Sequence, residues 1–456
     1  MLSVMYVVIV GAGEVGLHIA GFLAQEGQKV ALIDRDRDRL GEVGEKLDAL
    51  TVVGNGASKR VLTEANVKQA DILIAVTDSD EVNMIACMAA KRVGVPMTMA
   101  RIRNSDYLDS NDAVSSEFTG IDYVIQPEAA VAEEIGRLAD FPGALEVEVF
   151  AGGHALMIEA KIAEDSTCAR RPIAGMELPR EVLITGVLRD NTMIIPRGGT
   201  VLECGERVFL AGQPAAVREA AGILTLKTKL PKNCILLGCG DMGLPIARIL
   251  EDRGIRLTVF EKDRDRAVAA ATALDKSLVL HDEGLAEEVL VAEGVRGVDL
   301  FIAATGDDRL NILASLQAKR LGAERTISIL ERGEFSDILE ATGVDVAISP
   351  RRLTASAVVR LLRVGKVMSA ALLDRSAGEV LEFLVTEGSP LVGVPLRDVQ
   401  FPAGSILGLL KRETGVEIAR GDTVTAVGDI AVVFAATEAV PAVERLFTPR
   451  RLRLLH

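Results

Sequence analysis

Tryptophan is absent from this chain of 456 residues, and aromatic residues make up only 3% of it. Apolar residues nevertheless account for 49%. Large cores can therefore form, and they must be built mainly from alanine, valine, isoleucine and leucine. This composition favours α/β layers, in which small side chains let helices pack closely on a sheet.

Cysteine and histidine are also scarce, and neither is clustered. None of the five cysteines forms a C-x-x-C pair, and the odd number favours reduced thiols in a cytosolic protein. Because His, Cys and carboxylate side chains do not recur at ligand spacing, we expect no metal site. The residues concerned are Cys87, Cys168, Cys204, Cys234 and Cys239, with His18, His154, His281 and His456.

An excess of basic charge and a long apolar run are missing as well. The formal net charge of −14 argues against general binding to nucleic acid or anionic lipid. No stretch reaches the ~18 uninterrupted apolar residues of a membrane span, and Met1 leads almost directly into a first strand without a signal-type segment. We therefore expect a soluble, cytosolic chain. Its positive mean hydropathy suggests that apolar surface is buried in an oligomer or against a partner.

The chain contains one pattern twice. Residues 7–16 read VVIVGAGEVG, a buried strand running into a glycine turn, and residues 235–243 read ILLGCGDMG. Two G-x-G-x-x-G turns, each between an apolar strand pattern and a helical pattern, are a much stronger signal than one. Short apolar strands alternate with helical stretches, which predicts a parallel, doubly wound, Rossmann-like sheet in each half. The match continues, at a spacing of 227 or 228 positions, through Asp34 and Glu261, Thr77 and Thr305, and Asn83 and Asn311.

This repeat predicts four lobes. Each α/β stretch closes near a proline, Pro127 or Pro350, and an amphipathic helix follows whose apolar stripe should pack on a neighbouring domain or subunit. The sequence then changes to short strands separated by Gly and Pro turns, which predicts a small α+β lobe. We expect Rossmann-like lobes at 1–140 and 233–366, small lobes at 141–226 and 367–456, and a linker at 227–232.

The first glycine turn has the pattern of a phosphate cradle. Gly11 allows the tight turn, Gly13 lets the backbone approach a pyrophosphate, and the following helix directs its positive end and free N–H groups at the phosphates. The alternative is an empty turn that keeps its glycines for geometry. Asp34 ends the second strand, where a carboxylate can bind a ribose diol and would repel a 2′-phosphate, which favours NAD over NADP.

Further residues extend this predicted site. Asn55 and Gly56 follow the third strand, where the backbone can approach an adenine ring; the alternative is an ordinary loop. Thr77 ends the fourth strand beside the glycine turn, and Arg101 ends the fifth, where a guanidinium can pair with a diphosphate. The arginines between positions 35 and 39 alternate with acids, and we interpret them as the solvated start of a helix.

The second half keeps part of this pattern. Glu261 and Thr305 hold the equivalent places. The loop at 281–284 is bulkier and more polar than its counterpart, and Ile329 replaces the arginine, so the second pocket should differ in fit. Cys239, inside the second glycine turn, is either a reactive thiol or a small residue tolerated in a tight loop.

Together these motifs resemble the TrkA family, the NAD-binding peripheral subunits of bacterial Trk potassium-uptake systems. The resemblance rests on the doubled glycine turn, the acid after the second strand, residues 77–84 and 100–103, and the two small lobes, and it covers essentially the whole chain. It implies two tandem RCK units that bind NAD(H), and also ATP or ADP. It also implies a homotetrameric ring on a TrkH-like membrane subunit, at the inner face of the membrane.

Carried over to this sequence, the resemblance also implies which residues contact the ligand. In the first half these are Gly11, Ala12, Gly13, Glu14, Val15, Asp34, Asn55, Gly56, Thr77 and Arg101. In the second half they are Gly238, Cys239, Gly240, Asp241, Met242, Glu261, His281, Asp282 and Thr305.

Three classes of function fit such a chain. The leading hypothesis is a regulatory subunit, in which nucleotide occupancy shifts a conformational equilibrium. An NAD-dependent dehydrogenase would need a general acid or base beside the nicotinamide, and no candidate is evident, since His154 falls in a predicted turn. A sensor controlling a transporter of another ion is the third hypothesis. We therefore expect no catalytic residue and no enzymatic activity.

Overall fold

The computed structural model describes residues 4–25, 27–44, 47–104, 107, 120–190, 192–331, 343–362, 369–372 and 378–447. The chain divides into two compact units. The first comprises residues 1–130 and 349–358, and the second comprises residues 131–348 and 359–456. Each unit therefore draws on both halves of the repeat.

Six parallel strands form the sheet of the first unit. They are β1 (Tyr6–Val10), β2 (Lys29–Asp34), β3 (Ala49–Val53), β4 (Ile72–Ala75), β5 (Met97–Arg101) and β6 (Tyr123–Ile125). The helices packed with them are α1 (Glu14–Gln25), α2 (Arg37–Gly44), α3 (Lys59–Glu64) and α4 (Asp80–Arg92). The strand order, β3-β2-β1-β4-β5-β6, places a switch point between β1 and β4. Sheets of this kind bind ligands there, outside the carboxyl ends of the strands.

The local sequence explains the position of β1 at the centre of the sheet. Val7, Val8 and Ile9 are fully buried. A strand covered by helices on both faces is a continuous apolar run, whereas a half-exposed strand alternates. The edge strand β3 is less protected, because Leu50 and Val53 are exposed whereas Val52 is buried.

The second unit begins inside α5 (Pro127–Asp140) and continues into a small lobe. Its antiparallel sheet has the order β11-β10-β13-β8-β7. These strands are β7 (Ala144–Phe150), β8 (Ala155–Lys161), β10 (Val182–Arg189), β11 (Thr192–Ile194) and β13 (Arg207–Gly212). A two-stranded sheet joins β9 (Arg171–Pro172) to β12 (Val201–Leu202), and α6 (Pro214–Thr225) follows.

A second parallel sheet repeats the first. Its strands are β14 (Asn233–Leu237), β15 (Arg256–Glu261), β16 (Leu278–His281), β17 (Leu300–Ala303), β18 (Thr326–Ile329) and β19 (Val346–Ile348). Its helices are α7 (Gly243–Asp252), α8 (Arg264–Ala273), α9 (Glu287–Ala292) and α10 (Asp308–Leu321). The order β16-β15-β14-β17-β18-β19 is that of the first sheet, strand for strand.

The chain ends in a second small lobe. After α11 (Pro350–Leu362) come β20 (Ser369–Leu372), β21 (Glu379–Leu384), β22 (Ser405–Arg412), β23 (Gly415–Ile418), β24 (Ile430–Ala435) and α12 (Val440–Phe447). The two small lobes share one apolar core that includes Phe150, Phe209 and Phe434. The backbone N–H of Ala151 also donates across it to the buried carboxylate of Glu382 (2.6 Å). This architecture confirms the predicted fold class, two tandem Rossmann-like sheets each followed by a small α+β lobe.

The helices after the two prolines pack as their apolar stripes predict. Ile135 and Leu138 on α5 are fully buried in the second unit. Val358 on α11 is fully buried in the first unit, where burial and the charge of Arg352 lower the pKa of His18 on α1.

Within the described ranges, no helix combines the length and the apolarity needed to cross a membrane.

A buried arginine fixes the end of α5 inside the second unit. Arg325 is 8% exposed. Its Nη1 donates to the carbonyl oxygen of Leu138 (2.8 Å), and its Nη2 donates to that of Ala144. The first of these carbonyls belongs to the last turn of the helix, where no intrahelical donor is available. Burial lowers the pKa of Arg325 to about 10, so the side chain stays charged at neutral pH.

We expect the Arg325→Met substitution to destabilise the second unit, because it leaves buried carbonyl groups without a donor. The free energy of unfolding should fall by roughly 2–4 kcal/mol. Urea denaturation followed by circular dichroism measures this change. The matched control is Arg320→Met, because Arg320 pairs with Glu287 on the surface (2.6 Å), and such pairs are worth less than about 1 kcal/mol. Equal losses in the two variants would contradict the assigned role.

Candidate functional site

A cleft of about 240 Å³ opens at the switch point of the first sheet. It lies at the carboxyl ends of β1, β2, β3 and β4, and so brings together residues that are far apart in the sequence. Six of the residues proposed from the sequence line it: Gly11, Gly13, Asp34, Asn55, Gly56 and Thr77.

The three glycines of the first turn have different surroundings. Gly11 has a φ of 110°, and a Cβ there would lie 3.0 Å from the backbone of Val76. A Cβ on Gly16 would overlap the carbonyl oxygen of Gly11. A Cβ on Gly13 would meet nothing within 4 Å. The first and third glycines are therefore required by the fold, whereas the space over Gly13 is available to another molecule.

The start of α1 supplies donors beside this space. The helix begins at Glu14, so the backbone N–H groups of Glu14 and Val15 belong to its first turn. Such groups have no partner within the helix and carry its positive end. An anion over Gly13 would meet them directly.

Asp34 fastens the glycine turn to the end of β2. Its Oδ2 accepts from the backbone N–H of Ala12 (2.6 Å), and its Oδ1 accepts from that of Asp36 (2.8 Å). Each carboxylate oxygen can accept a further hydrogen bond. The side chain can therefore hold the turn and still receive the hydroxyl groups of a ribose.

Thr77 is held by a buried asparagine whose role the sequence analysis missed. Oδ1 of Asn83 accepts from the backbone N–H (2.9 Å) and the hydroxyl (2.7 Å) of Thr77, and Nδ2 donates to the carbonyl oxygens of Thr77 (3.1 Å) and Arg101 (2.8 Å). Its side chain is fully buried, and both its oxygen and its nitrogen have two partners. The repeat of this residue at a spacing of 228 positions was the signal that could have identified it.

Arg101 does not line the cleft. Its Nη2 pairs with Oε1 of Glu128 in the first turn of α5 (2.7 Å), and both side chains are 16% exposed. The Nε atom of Arg101 is buried and has no hydrogen-bond partner among the described residues. The end of β5 therefore carries a charged donor with unused hydrogen-bonding capacity.

Arg35 and Arg39, in contrast, do line the cleft. Both are exposed, as expected for a charged helix start, but they lie beside the glycine turn rather than only in solvent. Arg39 is the third residue of α2, and its Nε lies 3.4 Å from a carboxylate oxygen of Asp36. A signal was present here as well, because Arg266 occupies the position of Arg39 in the second repeat.

The second glycine turn repeats these constraints. Gly238 has a φ of 92°, and a Cβ on Gly243 would overlap the carbonyl oxygen of Gly238. Glu261 replaces the aspartate, with Oε2 accepting from the backbone N–H of Cys239 (2.7 Å) and Oε1 from that of Asp263 (2.9 Å). Asp241 and Met242 lead into α7, with Met242 as its N-cap.

Thr305 is bound by Asn311 as Thr77 is bound by Asn83. Oδ1 of Asn311 accepts from the backbone N–H (3.0 Å) and the hydroxyl (2.6 Å) of Thr305. Its Nδ2 donates to the carbonyl oxygen of Ile329 (2.8 Å), which ends β18 where Arg101 ends β5. The second half therefore keeps the hydrogen bonds of the buried asparagine but has no arginine at the end of its fifth strand.

The loop that follows the third strand differs between the two halves, at residues 54–56 and 281–284. The strand pairing shows which residues of the second loop are equivalent to those of the first. β2 pairs Asp34 with Val53, and β15 pairs Glu261 with His281. Counting on from these pairs, Glu283 is equivalent to Asn55, and Asp282 is equivalent to Gly54 rather than to Gly56. In this register His281 and Asp282, which the sequence analysis proposed as ligand contacts, correspond to Val53 and Gly54. Nε2 of His281 hydrogen-bonds to the carbonyl oxygen of Lys262 (3.0 Å).

Cys239 lies in the second turn but is poorly suited to react. Its side chain is 4% exposed, and burial together with the charge of Glu261 raises the pKa of its thiol to about 11. The small-residue interpretation is therefore favoured.

Among the described residues, no group of three or more His, Cys, Asp and Glu side chains could hold a metal ion.

The Asn83→Ala substitution should loosen the first cleft, because it leaves buried groups of Thr77 and Arg101 without partners. We expect the free energy of unfolding to fall by roughly 2–4 kcal/mol. Chemical denaturation measures the loss, and Asn311→Ala should give a similar value. The control is Arg92→Ala at the exposed end of the same helix, and a loss no larger than this control would refute the positioning role.

Alkylation tests the environment of Cys239. A pKa of about 11 leaves roughly one thiolate in a thousand at pH 8, so iodoacetamide should leave this residue unmodified in the native protein. The half-buried Cys204 should react first. Peptide mass spectrometry gives the extent at each position, with urea-unfolded protein as the control. Modification of Cys239 at the same rate in native and unfolded protein would contradict the assignment.

Both halves of the chain match known protein-family models, and nearly the whole chain matches known proteins. The TrkA-N domain model matches residues 7–127 and 234–350, and the TrkA-C domain model matches residues 157–225 and 380–448. The Trk system potassium uptake protein TrkA homolog of Archaeoglobus fulgidus is 35% identical over 443 residues, which covers 97% of this chain and 100% of that protein.

Solved structures show the same fold at low identity. A GsuK channel bound to NAD is similar with a TM-score of 0.62 and 17% identity, over 98% of this chain and 79% of that chain. A GsuK structure bound to ADP has a TM-score of 0.50 and 14% identity, over 79% of this chain and 70% of that chain.

Proposed function

The chain belongs to the TrkA family, and on that premise we propose that it is a regulatory subunit of a potassium-uptake system. It binds NAD(H), or ATP or ADP, and couples their binding to the gating of a TrkH-like membrane subunit. It acts in the cytoplasm, as a homotetrameric ring attached to the inner face of the membrane through that partner. Its RCK units have N-lobes at 1–140 and 233–366 and C-lobes at 141–226 and 367–456, joined by a linker at 227–232.

The observation that carries this proposal is the composition of the first cleft. It combines an open glycine turn, a carboxylate at the end of β2 and the loop at 54–56, arranged around the switch point of a doubly wound sheet. This is the arrangement that a dinucleotide or an adenine nucleotide requires. The GsuK structures bound to NAD and to ADP are consistent with the same class of ligand.

The same cleft offers little to a dehydrogenase, the alternative function. Among the described residues that line it there is no histidine, lysine or tyrosine. In a dehydrogenase the acid or base beside the nicotinamide is usually a histidine, lysine or tyrosine. Binding without reaction is the better account of these residues.

Coupling is proposed to act through Arg101. In the structure its guanidinium pairs with Glu128, at the start of α5. Because Arg101 does not line the cleft in this structure, a diphosphate bound at the glycine turn would have to draw the guanidinium towards the cleft and away from Glu128. A ligand that favours one state of this pair shifts the population of that state, which is the requirement for regulation.

The direct test is a nucleotide titration of the purified chain, alone and with its membrane partner in vesicles that report potassium flux. We expect saturable binding of NADH, NAD, ATP or ADP, and a change in flux over the same concentration range. Absence of binding by all four, or binding with no change in flux, would overturn the proposal. Steady turnover of NADH in the presence of candidate substrates would favour the dehydrogenase.

The role of Arg101 is tested in the same assay. Arg101→Ala should weaken nucleotide binding by about 10-fold or more, because a charge-assisted hydrogen bond is lost. Arg60→Ala serves as the control, since Arg60 pairs with Glu64 on the surface (2.6 Å). Unchanged affinity would remove Arg101 from the mechanism.

A further inference from the structure

A further cavity, of about 360 Å³, lies in the second unit, at the edge of its parallel sheet that is remote from the glycine turn. It reaches Leu300, which begins β17, and Arg325, which directly precedes β18. The turn at Gly238, in contrast, follows the carboxyl end of β14. Because these strands are parallel, their amino and carboxyl ends lie at opposite edges of the sheet. The cavity is therefore separate from the second glycine turn.

Much of the cavity wall is apolar. Its apolar residues come from the end of α5, the turn after it, the connection between the two halves and β17: Ala139, Pro142, Leu226, Pro231 and Leu300. Sites for small organic molecules have volumes of roughly 300–1,000 Å³, with apolar walls and a few polar groups that fix the orientation of the ligand. The cavity has the size and the apolar surface of such a site.

A buried guanidinium belongs to the same wall. The carbonyl groups of Leu138 and Ala144, which accept from Arg325, lie on either side of the stretch 139–143 that contributes to the cavity. Among the described residues, these two carbonyls are its hydrogen-bond partners, and no carboxylate forms an ion pair with it. A guanidinium has five N–H groups. Arg325, with 8% exposure, therefore keeps unused donors beside the cavity.

Three cations share the carboxylate of Asp345 near this wall. Nζ of Lys319 lies 2.6 Å from its Oδ2, Nζ of Lys227 lies 3.6 Å from its Oδ1, and its charge also acts on Arg325. Lys227 lines the cavity and is 46% exposed. Burial and the charges of Lys319 and Arg325 lower the pKa of Lys227, although Asp345 opposes this effect. This side of the cavity therefore carries more positive than negative charge.

The other charged groups nearby do not remove this excess. Glu134, whose charge also acts on the buried arginine, is paired with Arg137 (2.5 Å). On the opposite wall, Nζ of Lys229 lies 2.5 Å from Asp299 and 3.7 Å from Glu324. Glu324 is 54% exposed, so water screens its charge.

We propose that this cavity binds a small organic anion, whose carboxylate is received by Arg325 and Lys227 and whose apolar body lies against Leu226 and Leu300. The planar fork of a guanidinium matches the two oxygens of a carboxylate, and the ammonium group adds a second positive donor. Because Arg325 also holds the last turn of α5, the ligand stabilises that end of the helix. The inference goes beyond the proposed function and does not depend on nucleotide binding.

The test compares cinnamate, an apolar carboxylate, with cinnamamide, which has the same body without the charge. Each is titrated by calorimetry into the full chain, with and without ADP. We expect cinnamate to bind with a dissociation constant of about 1 mM or lower, and cinnamamide to bind at least about 10-fold more weakly, because charge-assisted hydrogen bonds are lost. ADP should leave both affinities unchanged.

The variant that locates the probe is Lys227→Met, because Arg325 also supports the fold. It removes one positive donor and keeps an apolar side chain, so the affinity for cinnamate should fall by about 5- to 10-fold while that for cinnamamide stays the same. Lys227→Arg should retain most of the affinity. Lys276→Met is the control, since Lys276 is an exposed lysine of the same unit outside the cavity.

Absence of cinnamate binding, equal affinities for the two probes, or an unchanged cinnamate affinity in Lys227→Met would each overturn the proposal. Displacement of cinnamate by ADP would place the probe in a nucleotide cleft, which overturns this inference and leaves the proposed function standing. If the chain binds cinnamate as expected but binds no nucleotide, the proposed function fails and this inference stands.

Discussion

A carboxylate at the end of the second strand holds each glycine turn, and the rest of the site depends on it. Asp34 accepts backbone hydrogen bonds from the first turn and from the start of α2, so one side chain joins three segments of the chain. Glu261 does the same in the second half, with 5% exposure. Because the turn is fixed by a strand of the central sheet, its N–H groups are already oriented towards the space where the proposed function places a phosphate.

Comparison of the two halves shows which hydrogen bonds the fold requires. The buried asparagines Asn83 and Asn311 make the same four kinds of hydrogen bond in both halves. Leaving such buried groups unpaired is costly, so this network must persist whatever the ligand is. Charged side chains around this network can change without leaving its buried groups unpaired. The two halves differ at such a position, because Ile329 takes the place of Arg101. The repeat thus keeps the positioning of the backbone and varies the charged side chain at the end of the fifth strand.

The sequence predicts the strands and helices that follow from periodicity, whereas the hydrogen-bond and ion-pair partners of individual side chains could not be predicted from it. Both parallel sheets could be predicted, because a buried strand and a glycine turn are local patterns. The equivalence of Glu283 with Asn55 depends on strand pairing between β15 and β16, which the two divergent loops did not reveal. The pairing of Arg101 with Glu128 joins residues 27 positions apart and could not be read from either one. The sequence indicated only an exposed charge at Arg39, because its position at the cleft depends on the path of the chain from β2 into α2.

Under the proposed function, nucleotide binding at the first site has to affect other parts of the protein, and Glu128 offers a route for that effect. Glu128 lies in the first turn of α5, and the boundary between the two compact units falls two residues later in the same helix. In the proposed mechanism, a change of partner for Arg101 would therefore act on a helix whose other end is held by Arg325. Couplings between sites are typically about 1–3 kcal/mol, which is within the range of one charge-assisted hydrogen bond. If a nucleotide favours one state of α5, linkage requires that this state bind the nucleotide more tightly. Under the proposed function, a partner that holds α5 in that state would therefore also raise the occupancy of the cleft.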